Sequence, residues 1–267
     1  MNSTPAPHAV ALVIPAYNET DIFRQFALSV LAVHPWVIVV NDGSTDGTAQ
    51  SVADLPLTLI SQPQNLGKAQ ALLRGMALAL EAGAAAVMTM DADGQHRAED
   101  IPRLLAAWRA HPDQLIIGSR LHDRAQFPLS RYRANRFANF WVAWAAGQPV
   151  SDSQSGFRVY PAAILRAYRQ IPRPGDGFVF ESEIIIEAGR RGGITLSVPV
   201  PAIYAANARK SHFRPVLDIA RITLMVAKKL LQQGMHPLGL WRSLRAPAIY
   251  ESPRSPVAVT QGGGNIA

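Results

Sequence analysis

The apolar run Val87-Met88-Thr89-Met90 ends in Asp91-Ala92-Asp93, followed by Gly94, Gln95 and His96. Inside a buried strand, two carboxylates one residue apart would put two charges on one covered face, at high cost. Where a strand runs out into solvent, the same pair can hold a hard divalent cation through oxygen ligands. Gly94 lets the backbone turn tightly, and Gln95 adds a neutral oxygen. Asp and Gly are also ordinary turn residues. The hexapeptide alone therefore leaves a plain turn and metal or phosphate chemistry both open. A second candidate is Lys68, which follows Gly67 at the start of a helical pattern and suits contact with phosphate there. Without the preceding glycine of a Walker A loop, it is not a P-loop.

The elements that must position these groups alternate. Residues 10–14 read as a buried strand ending at Pro15. A helix capped by Asp21 then runs to Leu31, with Ile22, Phe26 and Val30 at helical spacing. Strands follow at 37–40, 57–60, 85–90 and 115–117, and helices at 69–81 and 101–108. A short helix capped by Thr45 or Asp46 is expected to reach about residue 53. Such alternation predicts βαβ units and a mostly parallel sheet. The polar clusters Tyr17-Asn18-Glu19, Asn41-Asp42-Gly43, Asp91-Ala92-Asp93 and Gly118-Ser119-Arg120 each follow a strand. In an open parallel sheet, ligands bind at that edge. After Ser130 the alternation weakens to a helix at 180–190, a strand at 195–200 and an amphipathic helix at 216–231. That last helix places Leu217, Ala220, Leu224 and Ala227 on its apolar stripe, with Arg221, Lys228 and Lys229 in water.

A net charge of +7 favours anionic partners. The basic residues gather at 120–136 and 209–229 without a nucleic-acid motif, so phosphate and membrane-surface attraction are expected rather than nucleic-acid binding. The absence of cysteine excludes a disulfide framework and thiolate chemistry. Residues 1–8 lack a secretory pattern and read as a flexible N-terminus. No run reaches the roughly 18 to 20 apolar residues that span a bilayer.

Ile14-Pro15-Ala16-Tyr17-Asn18-Glu19, Asn41-Asp42-Gly43-Ser44-Thr45-Asp46-Gly47-Thr48 and Asp91-Ala92-Asp93-Gly94-Gln95-His96 together resemble the inverting family 2 glycosyltransferases of GT-A fold. Within them the chain is most similar to the dolichyl- or polyprenyl-phosphate mannose synthase group. Asn65-Leu66-Gly67-Lys68, Gly118-Ser119-Arg120, Asp152-Ser153-Gln154-Ser155-Gly156-Phe157-Arg158 and Arg209-Lys210-Ser211 continue the likeness in order. The resemblance implies a Rossmann-like α/β domain over residues 9–232. A segment at 233–247 either lies on a membrane surface or packs on its own domain, and a disordered tail is expected at 248–267.

The resemblance also implies roles. Pro15, Tyr17, Glu19, Asp42, Lys68, Asp91 and Asp93 would bind a nucleoside diphosphate sugar. Asp91, Asp93 and Gln95 would hold Mg2+ or Mn2+ beside the leaving diphosphate. Arg120 and Arg131, with Asn135 one turn further on, and Arg209, Lys210 and Ser211 would meet acceptor phosphate. Asp152 and Glu183 match acidic positions of the family. Asp93, Asp152, Arg120 and Arg131 form the expected catalytic set. For Asp152 a helix cap is the alternative, for Asp46 a cap is the preferred reading, and for His96 a turn residue is preferred over a supporting role.

A hydroxyl acceptor needs a base to take its proton, whereas a phosphate acceptor is already anionic and needs positive charge. The basic clusters, and the lack of the Q-x-x-R-W motif of processive synthases, favour a lipid phosphate, and the resemblance implies mannose or glucose as the sugar. Such a chain would work in the cytoplasm, peripherally at the inner face of a membrane. The rivals are transfer to a hydroxyl of a lipid, glycan or pigment, a non-catalytic nucleotide-sugar binder, and a phosphatase of the haloacid dehalogenase type. One departure stands out: the arginine usual ahead of Ser211 is replaced by Ala206-Asn207-Ala208.

Overall fold

Ala11 and Val13 point to one side of the first strand, Leu12 and Ile14 to the other, and all four are fully buried. A strand covered on both faces belongs inside a sheet with helices above and below it. The computed structural model describes residues 9–122, 129–168, 177–203 and 215–251 and has this architecture. In chain order the elements are β1 (Val10–Ala16), α1 (Thr20–Leu31), β2 (Val37–Asn41), β3 (Thr58–Ser61), α2 (Lys68–Glu81), β4 (Ala86–Thr89), α3 (Ile101–Ala110), β5 (Leu115–Ser119), α4 (Leu129–Ala146), β6 (Arg158–Pro161), α5 (Ala162–Ala167), α6 (Gly177–Arg190), β7 (Thr195–Pro199), α7 (Pro215–Gln232) and α8 (Pro237–Ser243). The sheet runs β3-β2-β1-β4-β6-β5-β7. Apolar residues of α1 and α3 cover one face, and those of α2, α4, α6 and α7 the other.

The expected strand at 10–14 continues through Pro15 to Ala16. Leu12 N–H donates to the Trp36 carbonyl and the Ala16 carbonyl accepts from Asp42 N–H, so even positions of β1 face β2. Pro15 faces β4, whose pairing with β1 ends at Val13 and Thr89. Its missing N–H therefore costs no ladder bond.

β6 is a strand that the alternation did not reveal. It lies between β4 and β5, antiparallel to both, with Arg158 opposite Thr89 and Ile117. Because it runs backwards, its N-terminal end meets the C-terminal ends of β4 and β5. The loop that precedes it is thereby delivered to the edge where the polar clusters gather.

Several local expectations are corrected. Helix α1 begins at Thr20 with Glu19 as N-cap, two residues before Asp21, and it buries Phe23, Ala27 and Val30 while Ile22 is exposed. Asp46 caps no helix of its own, since only a 3₁₀ turn at Gln50–Val52 follows; its carboxylate accepts from the backbone N–H groups of Thr20 and Thr48. In α7 the predicted stripe is inverted over residues 220–230, where side chains are described, although Lys228 is exposed as expected. Ile222, Val226, Lys229 and Leu230 face inward and Leu224 faces water. The cause is α6, where Glu183 and Glu187 lie 3.0 and 2.5 Å from the Lys229 ammonium and compensate its burial. Residues 248–251, assigned to the tail, lie against the sheet. Ser197 in edge strand β7 donates to the Ala248 carbonyl and accepts from Tyr250 N–H, so this segment covers the open edge. Residues 1–8 and 252–267 lie outside the described residues.

Candidate functional site

The C-terminal ends of β1, β2 and β4 carry residues 17–19, 41–42 and 91–93, and reversed β6 adds residues 152–157 to the same edge. Gly156 explains how close that loop comes. A Cβ built there would stand 2.4 Å from Asp91 Oδ2, so only glycine fits. Thr89 Oγ1 donates to the Gly156 carbonyl at 2.7 Å and fixes the approach.

The first of two charged clusters is built on Lys68, the opening residue of α2. Its ammonium lies 2.8 Å from both Asp91 oxygens and 2.9 Å from Glu181 Oε1. Burial alone would raise the Asp91 carboxyl, and the Lys68 charge, aided by His96 and Arg120, outweighs it and holds Asp91 below its usual value. Burial would likewise lower Lys68, but Asp91 and Glu181 together raise it. The lysine expected to await a phosphate is thus already held between two acids. Glu181 was missed in the sequence, where Glu183 was preferred. Glu183 instead meets Lys229 and, at 3.0 Å, the Tyr168 hydroxyl. The overlooked signal is a charge at 181 on the helix face of Ile184, Ile185 and Ala188, all buried.

Asp93 sits exposed beside this cluster and accepts from the backbone N–H of Gln95 at 3.0 Å and from its side-chain amide at 2.8 Å. Although the residue is exposed at the rim, protein atoms crowd its carboxyl, and that crowding first, then the negative charge of Asp91, raise it. Two carboxylates that repel each other at an open rim are a setting that a divalent cation relieves. Among the described residues, no group of three or more His, Cys, Asp or Glu side chains is arranged to hold a metal ion. Asp91 and Asp93 nevertheless suit Mg2+ or Mn2+, since such ions take one or two carboxylates and complete their shell with phosphate and water. Gln95 is bonded to both clusters in this geometry. Its Oε1 accepts from Arg120 Nη1 at 3.1 Å, so the side chain orients Asp93 and links it to the second cluster.

That second cluster pairs Arg120 with Asp152. The guanidinium donates from Nε to Oδ2 at 3.0 Å and from Nη2 to Oδ1 at 3.2 Å, and Arg120 N–H adds a third bond at 3.1 Å. Burial would raise Asp152, and Arg120 more than offsets it. Asp152 caps no helix; it is fully buried in a loop with its oxygens filled. Arg120, expected to meet phosphate, is held in this pair.

Arg158, the first residue of β6, is fully buried and ties this loop down. It donates to the carbonyls of Ser155 at 2.6 Å, Ser153 at 2.8 Å and Glu181 at 2.5 Å, joining the two clusters. His96 lies between them, its ring 5.1 Å from Phe157, buried and with Nδ1 unpartnered. Burial first, then Arg120, lower its pKa to about 4. This is more than a turn residue.

Asp42 is buried and accepts from Gln62 Nε2, Leu66 N–H and Gly67 N–H at 2.8, 2.9 and 2.8 Å. It anchors the loop that delivers Lys68, and its oxygens are largely taken before any base arrives. Tyr17 and Glu19 are half-buried at the rim, and Asn18 between them adopts a left-handed φ of 53° fixed by bonds to Ser44 and Thr45. Arg131 is exposed near the start of α4, with Asn135 one turn on. A cleft of about 340 Å³ opens beside the end of β5, between α4 and the segment after α8, lined by Ser119, Tyr132, Arg136, Phe140, Leu244 and Arg245. Arg209, Lys210 and Ser211 lie outside the described residues.

Residues 11–168 match the family model described as glycosyl transferase family 2. The chain is 28% identical over 221 residues to UDP-N-acetylglucosamine–dolichyl-phosphate N-acetylglucosaminyltransferase of Methanococcus voltae, covering 74% of this chain and 87% of that one. It is 29% identical over 200 residues to polyprenol monophosphomannose synthase of Mycolicibacterium smegmatis, covering 71% and 75%. Among solved structures, glucosyl-3-phosphoglycerate synthase from Mycobacterium tuberculosis in complex with UDP has the same fold, with a TM-score of 0.63 at 19% identity over 86% of this chain and 81% of that one. The same enzyme with Mn2+, UDP and glucosyl-3-phosphoglycerate gives 0.60 at 20% identity over 85% and 80%.

Proposed function

Since this chain belongs to glycosyl transferase family 2, and is a glycosyltransferase, we propose that it moves a sugar, mannose or glucose, from a nucleoside diphosphate to a polyprenyl-phosphate-type lipid. The names of the Methanococcus and Mycolicibacterium relatives support the acceptor class. The reaction proceeds with inversion. A phosphate oxygen of the acceptor forms a bond to the anomeric carbon while the bond to the diphosphate breaks on the opposite side and its electron pair leaves with the nucleotide.

The observation that carries this reading is the state of the carboxylates. A hydroxyl acceptor needs a base. Among the described carboxylates at this edge, Asp152 is sealed against Arg120, Asp91 and Glu181 share Lys68, and Asp93 is the one assigned to the metal. An acceptor that arrives ionised needs none of them. Asp91 and Asp93 would hold Mg2+ or Mn2+, in keeping with the Mn2+ complex of the structural neighbour, and the ion would neutralise charge on the departing diphosphate. Tyr17, Glu19 and Pro15 line the nucleotide side, with Asp42 shaping it through the loop at 62–67. Lys68 is placed to exchange an acid for a phosphate oxygen, and Arg131 and Asn135, with Arg209, Lys210 and Ser211, attract the acceptor. The chain then works in the cytoplasm at the inner face of a membrane, reaching the lipid headgroup from the surface; none of the described helices is long and apolar enough to cross.

A thermal-shift panel of UDP- and GDP-sugars with and without Mn2+ tests the donor site, because a bound ligand raises the melting temperature by mass action. One nucleotide sugar should stabilise the chain with metal, and Asp93→Asn should erase that shift and lower transfer by about 10²- to 10³-fold. Transfer to a polyprenol but not to its phosphate would overturn the acceptor assignment.

A further inference from the structure

Phe137, Phe140, Trp141 and Trp144 recur at helical spacing along α4, and their rings contact one another at centroid separations of 5.3 to 6.1 Å. A ladder of this kind is ordinary core when covered, but Phe137 is 65% exposed. Helix α8 is docked beside it. His236 fits between Gly147 and Gly239, where any Cβ would come within 2.6 Å of its ring, and Trp144 Nε1 donates to the Met235 carbonyl at 3.0 Å. So held, α8 and the residues after it turn Leu238, Trp241 and Leu244 outward at 66, 61 and 68% exposure. Large apolar groups displayed together mark an interaction surface rather than scattered exposure.

The charge around them selects the partner. Residues 129–146 and 233–251 contain Arg131, Arg133, Arg136, Arg242 and Arg245 against one acid, Glu251. Arg245 lies over the Trp241 ring, 4.3 Å from its centroid. Tryptophan with neighbouring arginine and outward leucine suits the boundary between headgroups and acyl chains of an anionic bilayer. A second copy would bring an equally basic face against this one. Residues 204–214 and 252–267 contain Arg209, Lys210, Arg214 and Arg254 and no acid, so they do not complement it either. Nucleic acid would match the arginines but leave Leu238 and Leu244 in water.

We propose that the α4–α8 face docks this chain on an anionic phospholipid surface, which rests on the lipid-phosphate reading above and names the surface that serves it. The cleft beside Ser119 opens between the same two regions, so a headgroup held at this face lies next to the catalytic edge.

The full chain should co-sediment with phosphatidylglycerol-containing vesicles at low salt and not with phosphatidylcholine vesicles, and high salt should release it. Brominated acyl chains should quench its tryptophan emission. Phe137→Ser with Leu238→Ser and Trp241→Ser, and separately Arg133→Glu with Arg242→Glu, should each weaken vesicle binding at least about tenfold. Both variants should keep wild-type transfer to a short-chain, water-soluble polyprenyl phosphate. No vesicle binding by the wild type, binding without bromine quenching, binding to RNA alone, or undiminished binding by both variants would overturn the docking face. The wild-type quenching measurement stands even where a variant fails to fold. Vesicle binding without transfer to any lipid phosphate would remove the acceptor assignment and leave the face standing; transfer to the soluble acceptor without vesicle binding would do the reverse.

Discussion

The two cation–carboxylate clusters are chemically similar and built to opposite ends. Around Lys68, the ammonium and Asp91 are 23 and 22% exposed, whereas in the other pair Arg120 and Asp152 are 9 and 0% exposed. Lysine is a point charge on a flexible stem, so it can leave one oxygen for another; arginine in a two-pronged pair is fixed in plane and direction. The first cluster is therefore suited to exchange partners when a diphosphate arrives. The second holds the loop of residues 152–157, which Gly156 lays against Asp91. A donor site needs both, one charge that yields and a frame that does not.

Asp152→Asn breaks this contrast most severely. It leaves the Arg120 guanidinium buried without its counter-ion and should cost about 3–5 kcal/mol of stability, read as a lowered midpoint in urea. A cost under about 1 kcal/mol would mean that water reaches the pair and that the frame is softer than its geometry suggests. Lys68→Met asks the converse. Asp91 still reaches water, but Glu181, 4% exposed, loses its cation, so the stability loss should be no larger than for Asp152→Asn. Transfer should fall about 10²- to 10³-fold, equivalent to roughly 3–4 kcal/mol in the barrier, if the ammonium meets developing phosphate charge. Equal losses of stability in the two variants, with Lys68→Met still active, would erase the distinction.

The difference between the clusters also explains what the sequence made legible. The half from β1 to β4 places its polar residues directly after apolar strands, so the strands and the edge that carries Asp91 and Asp93 can be read by periodicity. Arg120, Asp152, Arg158 and Glu181 come together only because β6 runs backwards between β4 and β5, and a four-residue strand beginning with arginine carries no period. Motif matching found Asp152 and Arg120 but not that they satisfy each other, since pairing depends on burial. The inverted stripe of α7 has the same origin. Lys229 reads as solvated until Glu183 and Glu187 of another helix are brought against it.

His96 sharpens the comparison because it feels both clusters. Arg120 and Lys68 lower its pKa, Asp91 and Asp152 raise it, and with these opposed the leading cause is burial. Its pKa falls from 6.5 to about 4. Between those values the unfolded chain binds more protons than the folded one, so stability rises with pH there and is lost as pH falls from 6.5 towards 4. The full effect is about 3 kcal/mol at 1.36 kcal/mol per unit. Urea unfolding of the metal-free chain in chelator should show this slope, and His96→Phe, which keeps an aromatic ring against Phe157, should remove that share of it. An equally steep slope in His96→Phe would assign the acid sensitivity to the carboxylates. A flat wild-type profile over this range would mean that the imidazole is charged in the fold, with the acids of the two clusters outweighing their cations.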